Sequence, residues 1–210
     1  METRKLANAL ADLMEEEALR IVKEKLEARE DPIKILESCR GGMTIVGDRV
    51  EKREYFLSDM FMAAEIFSEA MELVRPELKK VAVKPLGKVV IGTVQGDIHD
   101  LGKNIAIALL EAAGFEIHDL GVDVPPEKFV DAIKDVRPEI VGMSGLLTLA
   151  IESMKKTTEA ISKAELRERV KIIIGGGRAD EDAREYIGAD AWTDEAVRGV
   201  EICKRWIGGE

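Results

Sequence analysis

The sequence predicts an α/β chain in which an N-terminal four-helix bundle precedes a doubly wound, five-stranded parallel sheet. Three observations carry that expectation. Residues 3–80 contain no convincing strand, and their apolar residues recur at helical spacing. From Val89 onward, short β-branched runs alternate with helical patterns, five times over. Between the two lies Val81–Lys88, which carries Pro85 and Gly87 and reads as a linker.

In the first part, Leu6, Leu10, Leu13, Ala18, Val22 and Leu26 mark one amphipathic stretch, with Glu and Lys on its other faces. Asp31-Pro32 restarts a helix, with Asp at a capping position and Pro in the first turn. Gly41-Gly42 is expected to interrupt it before a short apolar pattern through Met43, Val46 and Val50. Ser58 is expected to cap a helix over Asp59–Leu73 that buries Met62, Ile66 and Met71 or near neighbours. In the second part the expected strands are Val89–Val94, Glu116–Leu120, Ile140–Ser144, Val170–Ile174 and Ala189–Trp192. Helices are expected over Lys103–Ala113, Pro126–Val136, about Ala150–Lys163, Asp180–Ile187 and Asp194–Trp206. Each parallel return needs a crossover helix, so five such units cover a sheet on both faces. The domain limits are then 1–80, a linker at 81–88, and 89–210, with the ligand site at the carboxyl ends of the strands.

Composition excludes several classes. With 31 Lys plus Arg against 41 Asp plus Glu, the formal charge is −10, which argues against nucleic acid or an anionic membrane as partner. The longest uncharged stretch, Ile140 to Ile151, is too short and too polar to span a bilayer. The N-terminus turns acidic within two turns, unlike a targeting peptide. Cys39 and Cys203 stand alone without metal spacing, so a reducing cytoplasm is expected.

Three loops at the expected strand ends carry chemistry. Gln95 to Asn104, QGDIHDLGKN, holds His99 with Asp97 two residues before it and Asp100 just after. A carboxylate beside an imidazole fixes its tautomer and makes the other ring nitrogen a better ligand or base. The same residues also suit a solvated histidine in a charged turn. Gly102 leaves room for something bulky at the start of the next helix. The other loops run from Ser144 to Thr148 and through Gly175-Gly176-Gly177. His118 falls within a strand and reads as structural. No zinc set, no GxGxxG and no serine elbow is present.

Asp97-x-His99-x-x-Gly102, then 41 residues, Ser144-x-Leu146, then 28 residues, and Gly175-Gly176 together resemble the cobalamin-binding signature. It is shared by methionine synthases, corrinoid methyl carriers and adenosylcobalamin mutases. Gly42 to Asp48, GMTIVGD, with Tyr55 to Ser58, YFLS, resembles the helical cap of methionine synthase and of free-standing corrinoid proteins. The whole chain is thus most similar to the corrinoid proteins of anaerobic methyltransferase systems, which act on methanol, methylamines or aryl methyl ethers. The resemblance implies a Rossmann/flavodoxin-like cobalamin-binding domain and a corrinoid cofactor, methylcobalamin in its loaded form.

It also implies roles. His99 replaces the cofactor's lower base on cobalt, and Asp97 polarises it. Gly96, Ile98, Asp100 and Gly102 surround that contact. Ser144, Leu146, Thr148, Gly175 and Gly176 take the buried nucleotide tail. Phe56, Leu57 and Met60 cover the upper face, though on residue type alone they also suit bundle core. Cobalt would cycle between Co(I) and methyl-Co(III), taking the methyl from a substrate:corrinoid methyltransferase and passing it to a corrinoid:acceptor methyltransferase. A reductive activator would rescue Co(II). Methionine synthases carry a serine where this chain has Ala150, so the proton path through Asp97 and His99 has to end differently, with water as the candidate. The small subunit of an adenosylcobalamin mutase and a cobalamin-sensing regulator are the alternatives. The helical region counts against the first, and the absence of a basic helix against the second.

Overall fold

The computed structural model describes residues 2–78 and 85–208, and the chain divides into two compact units, Met1–Lys84 and Pro85–Glu210. Among the described residues no helix is long and apolar enough to cross a membrane. The Val81–Lys84 part of the expected linker lies outside the described residues.

The first unit holds α1 (Glu2–Ala11), α2 (Glu15–Glu27), α3 (Pro32–Glu51) and α4 (Leu57–Leu78). α1 packs on α2 and α3, and α4 on α2 and α3, around Leu6, Leu10, Val22, Ile35, Met43 and Phe67. Four helices are present, but the chain is cut differently from expectation. The stretch from Leu6 to Leu26 is two helices. α1 ends because Leu13 turns left-handed (φ 59°), with Leu13 N–H bonded to Leu10 O and Met14 N–H to Ala9 O. Arg49 and the Tyr55 hydroxyl both donate to Ala11 O and fix that end.

Gly41-Gly42 does not interrupt α3. A Cβ on Gly42 would lie 2.9 Å from Ala7 O and 3.0 Å from Leu10 Cβ, so this glycine brings α1 and α3 into close approach. Ser58 does not cap α4, which begins one residue earlier; Asp59 Oδ2 accepts from Phe56 N–H instead. α4 buries Met60, Ala63, Ile66, Phe67, Ala70 and Met71, while Met62 stays exposed. Asp31 caps α3 as expected, accepting from Ile33 N–H with Pro32 in the first turn.

The second unit follows the expected alternation: β1 (Lys88–Thr93), α5 (Leu101–Ala113), β2 (Glu116–Asp119), α6 (Pro126–Val136), β3 (Ile140–Ser144), α7 (Thr148–Lys163), β4 (Lys171–Gly175), α8 (Glu181–Ile187), β5 (Ala191–Thr193) and α9 (Ala196–Gly208). The sheet is wholly parallel in the order β2-β1-β3-β4-β5. Successive side chains alternate faces. Val90, Val141, Met143, Ile172 and Ile174 pack with Phe129, Met154, Ile161 and Ile187 of α6, α7 and α8. The intervening residues face α5 and α9, which pack on each other. Because β2 and β3 flank β1, the strand order reverses between β1 and β3, where α/β folds open a crevice at the carboxyl ends.

Candidate functional site

At that crevice the buried Asp97 carboxylate ties two loops together. Its Oδ1 accepts from His99 N–H (3.0 Å) and pairs with His99 Nδ1 (2.7 Å). Its Oδ2 accepts from Leu146 N–H (2.7 Å) and Leu147 N–H (3.0 Å) at the end of β3. Burial works against the charge, but the backbone donors of Leu147, His99 and Leu146 and the imidazole outweigh it, and the carboxyl is held far below the usual carboxylate range. An ionised carboxylate only accepts, so Nδ1 carries the proton and Nε2 keeps a free lone pair. Nε2 has no partner among the described residues, and the His99 side chain is 49% exposed.

A relay serine is absent: Ala150 is buried, and a Cβ on Gly145 would run into its methyl. The far oxygen of Asp97 accepts from two backbone N–H groups, and its side chain is fully buried.

The remaining predicted residues are distributed as follows. Gly96 N–H donates to Asp123 Oδ1, and Asp123 N–H returns to Asp97 O, which locks the turn. Asp100 precedes α5 and accepts from Asn104 rather than from the helix backbone. A Cβ on Gly102 would meet nothing within 4 Å. Ile98, Val122, Leu146 and Leu147 are exposed in the loops at the carboxyl ends of the strands, as are Leu101 and Leu149 in the first turns of α5 and α7. Ser144 ends β3 in register with Thr93 of β1 and Gly175 of β4, and Thr148 opens α7, exposed. A Cβ on Gly175 would meet only Thr193 O, at 3.5 Å. Gly176 is different: its φ is +121° and a Cβ there would collide with the Gly145 carbonyl, so it lets the two loops lie together. His118 pairs with Glu116 on the outer strand β2, away from the loops. In the first unit Phe56 and Leu57 are exposed, whereas Met60 belongs to the buried stripe of α4.

Sequence reasoning passed over three contributors. Asp123 takes a left-handed conformation (φ 51°) that residue type barely signals. The buried Lys103 ties the first turn of α5 to Asp119 Oδ2 (2.7 Å) at the end of β2. Thr93, wholly buried, has a hydroxyl with no partner among the described residues.

Residues 87–201 match the family described as B12 binding domain, and residues 3–75 match a second one of the same description. The chain is 38% identical over 196 residues to trimethylamine corrinoid protein 1 of Methanosarcina acetivorans, covering 92% of this chain and 91% of that one. It resembles the crystal structure of a cobalamin-binding protein from Desulfitobacterium hafniense, with 41% identity, 98% of each chain covered and a TM-score of 0.73. It also resembles a chain of the methanol:cobalamin methyltransferase complex from Methanosarcina barkeri, with 27% identity, 100% of this chain and 80% of that one covered, and a TM-score of 0.85. An imidazole with a free nitrogen, set among exposed apolar loops at the switch point of a parallel sheet, thus occurs in a chain that belongs to the family of B12-binding corrinoid proteins.

Proposed function

We propose that this chain carries a methyl group on the cobalt of a bound corrinoid, between a methyltransferase that holds the donor and a second that holds the acceptor. The carrying observation is the Asp97–His99 pair with Nε2 free. Among the described residues no three His, Cys, Asp or Glu side chains converge, so His99 offers one ligand to a metal that brings its others with it. A corrin does so, and the exposed Ile98, Leu101, Leu146 and Leu149 suit an apolar macrocycle. The residues present therefore fit the group.

When bound, the cobalt supplies a nucleophile in its reduced state and a methyl donor in its alkylated state. The chain's part is positional. Asp97 fixes the tautomer of His99, whose free Nε2 would hold the cobalt. Asp97 also holds Leu146 and Leu147 by their backbone, so the imidazole and the apolar seat are set by one buried carboxylate. Gly96, Asp100 and Gly102 shape the loop around His99. Ser144, with Gly175 beside it, receives the nucleotide tail, and Thr148 and Gly176 border it. Residues 1–80 are the cap domain, on which Phe56 and Leu57 are exposed apolar candidates for cofactor contact, and 89–210 is the binding domain. The partners are a substrate:corrinoid methyltransferase, an acceptor methyltransferase and a reductive activator. Small methylated amines or alcohols as the donor class rest on the trimethylamine and methanol in the names of the relatives.

The test is electron paramagnetic resonance of the anaerobically loaded Co(II) form. One axial nitrogen is expected, and it should persist with cobinamide, which has no lower base of its own. It should vanish in His99→Ala. A cobinamide sample without nitrogen splitting would remove the ligand assignment.

A further inference from the structure

Thr93, Ser144, Gly175 and Thr193 stand side by side across β1, β3, β4 and β5. By the alternation of the strands they face the side of the sheet that carries α5 and α9. Three of the four bear hydroxyls, and they differ in what those hydroxyls bond. Thr193 Oγ1 donates to Glu195 O (2.7 Å) and accepts from Glu195 N–H (3.1 Å). Ser144 has no side-chain partner among the described residues and is partly open. Thr93 is 0% exposed and its Oγ1 has no partner among the described residues.

A hydroxyl taken out of water without a replacement bond carries the full desolvation cost. Valine has the same shape without that cost, and β1 uses it at positions 89 and 90. Among the described residues nothing supplies the missing partner of Thr93. Its direction is set by the neighbours: adjacent strands run about 4.8 Å apart, so a group bonded to Ser144 lies within reach of Thr93. Beyond Ser144 a Cβ on Gly175 would make one ordinary contact, with Thr193 O at 3.5 Å. Two hydroxyls without a partner among the described residues, beside a residue with no side chain, suit a polar group that enters from the strand ends.

We propose that the Thr93 hydroxyl is a hydrogen-bonding contact for the nucleotide tail of the bound corrinoid, and that with it the chain discriminates complete corrinoids from tailless ones. The proposal rests on the corrinoid reading given above. The O–H donates to an acceptor on the tail, which is either a phosphate oxygen or an atom of the ribose and base. His99, on the loop above, has no part in this contact, so axial ligation and tail recognition separate.

Thr93→Val and Thr93→Ser in the full chain test it, by equilibrium dialysis against cobinamide, cobinamide phosphate and cobalamin. Thr93→Val should bind cobinamide as the parent does and cobalamin about tenfold more weakly, the size of one hydrogen bond. Thr93→Ser should bind all three like the parent. A loss already present with cobinamide phosphate places the acceptor on the phosphate; a loss confined to cobalamin places it on the ribose or base. The unloaded Thr93→Val protein should melt at or up to ~3 °C above the parent, since it loses no bond. A hydroxyl that merely holds the fold would lower that melting point. Equal cobalamin affinity in Thr93→Val and parent, or an equal loss for cobinamide and cobalamin, overturns the proposal while leaving the corrinoid reading in place. A parent that binds none of the three removes that reading and the proposal with it.

Discussion

The helical unit and the α/β unit both close helices on left-handed residues other than glycine, but they place their glycines differently. In the α/β unit α6 and α7 stop at the left-handed Arg137 and Glu165, while α5 and α8 stop at Gly114 and Gly188. In the helical unit α1, α2 and α3 stop at Leu13, Arg29 and Arg53, all left-handed and none glycine, each followed by the same pair of closing bonds. The only adjacent glycines of that unit lie inside a helix. Gly42 there marks a helix contact, whereas in the α/β unit Gly114 and Gly188 mark helix ends and Gly176 a loop crossing.

The largest expected effect comes from a loop crossing. Gly176→Ala places a methyl on the Gly145 carbonyl at a positive φ, and backbone on both sides has no room to yield. We expect a loss of roughly 3–5 kcal/mol from the α/β unit. Trp192 and Trp206, the chain's two tryptophans, both lie in that unit, so urea unfolding followed by their fluorescence reads it alone. A wild-type midpoint would mean that loops 145 and 176 do not touch.

The second effect lies in the helical unit. Gly42→Ala should push α1 off α3 and cost about 1–3 kcal/mol. Tryptophan fluorescence should not register it, while alkylation of the buried Cys39 should speed up. Gly41→Ala is the control, because its Cβ would lie 3.8 Å from Ala7 Cβ in ordinary contact. If both variants behave alike, the pair is a weak point of α3 rather than a packing device.

The same contrast explains what the sequence made legible. Strand β3 and helix α6 match expectation to the residue, because a β-branched run and a proline at the first turn are local signals. The Asp97-x-His99 contact was legible too, since two residues of spacing suffice for a carboxylate to reach the ring. The end of α1 was not: it depends on Arg49 and Tyr55 reaching back about 40 residues to Ala11 O. Nor were the two bonds from Leu146 and Leu147 to Asp97, which come from backbone and leave no trace in residue type. Ala150 pointed to a missing serine, but only the fold shows the backbone N–H groups from which Asp97 Oδ2 accepts.

A third measurement compares the units through their thiols. Cys39 and Cys203 are buried, one in each unit, and burial pushes each thiol up to about 12. Unfolded, a thiol titrates near 8.5. The folded state resists the thiolate, so this stability is fully present below about pH 8.5 and is lost as pH rises toward the folded value. Parent stability should therefore fall above about pH 8.5 by up to ~1.4 kcal/mol per pH unit for each thiol, relative to the matching Cys→Ala variant. Cys203→Ala should remove that slope only from the tryptophan-monitored transition, and Cys39→Ala only from the helical one. A slope shared between them would mean that the units unfold together.

The smallest effect separates glycines left vacant for a ligand from those left vacant for nothing. Gly47 lies within α3 and Gly102 in the first turn of α5, and a Cβ on either would meet nothing within 4 Å. Helix propensity alone favours alanine, by up to ~1 kcal/mol in a helix interior and less in a first turn. Gly47→Ala should thus stabilise the helical unit by about 0.5–1 kcal/mol and change nothing else. Gly102→Ala should stabilise the unloaded α/β unit by a few tenths of a kcal/mol at most, on the order of a first-turn substitution. Under the proposed function it should also weaken cobinamide binding, because its methyl fills space beside the His99 loop that the macrocycle would occupy. Cobinamide is the right probe here: it lacks the tail, so any loss comes from the seat around His99 and not from the contacts at Ser144. Unchanged cobinamide affinity in Gly102→Ala would mean that the open space over α5 is ordinary surface, and that the corrin sits nearer the β3–α7 loop with Leu146 and Leu149.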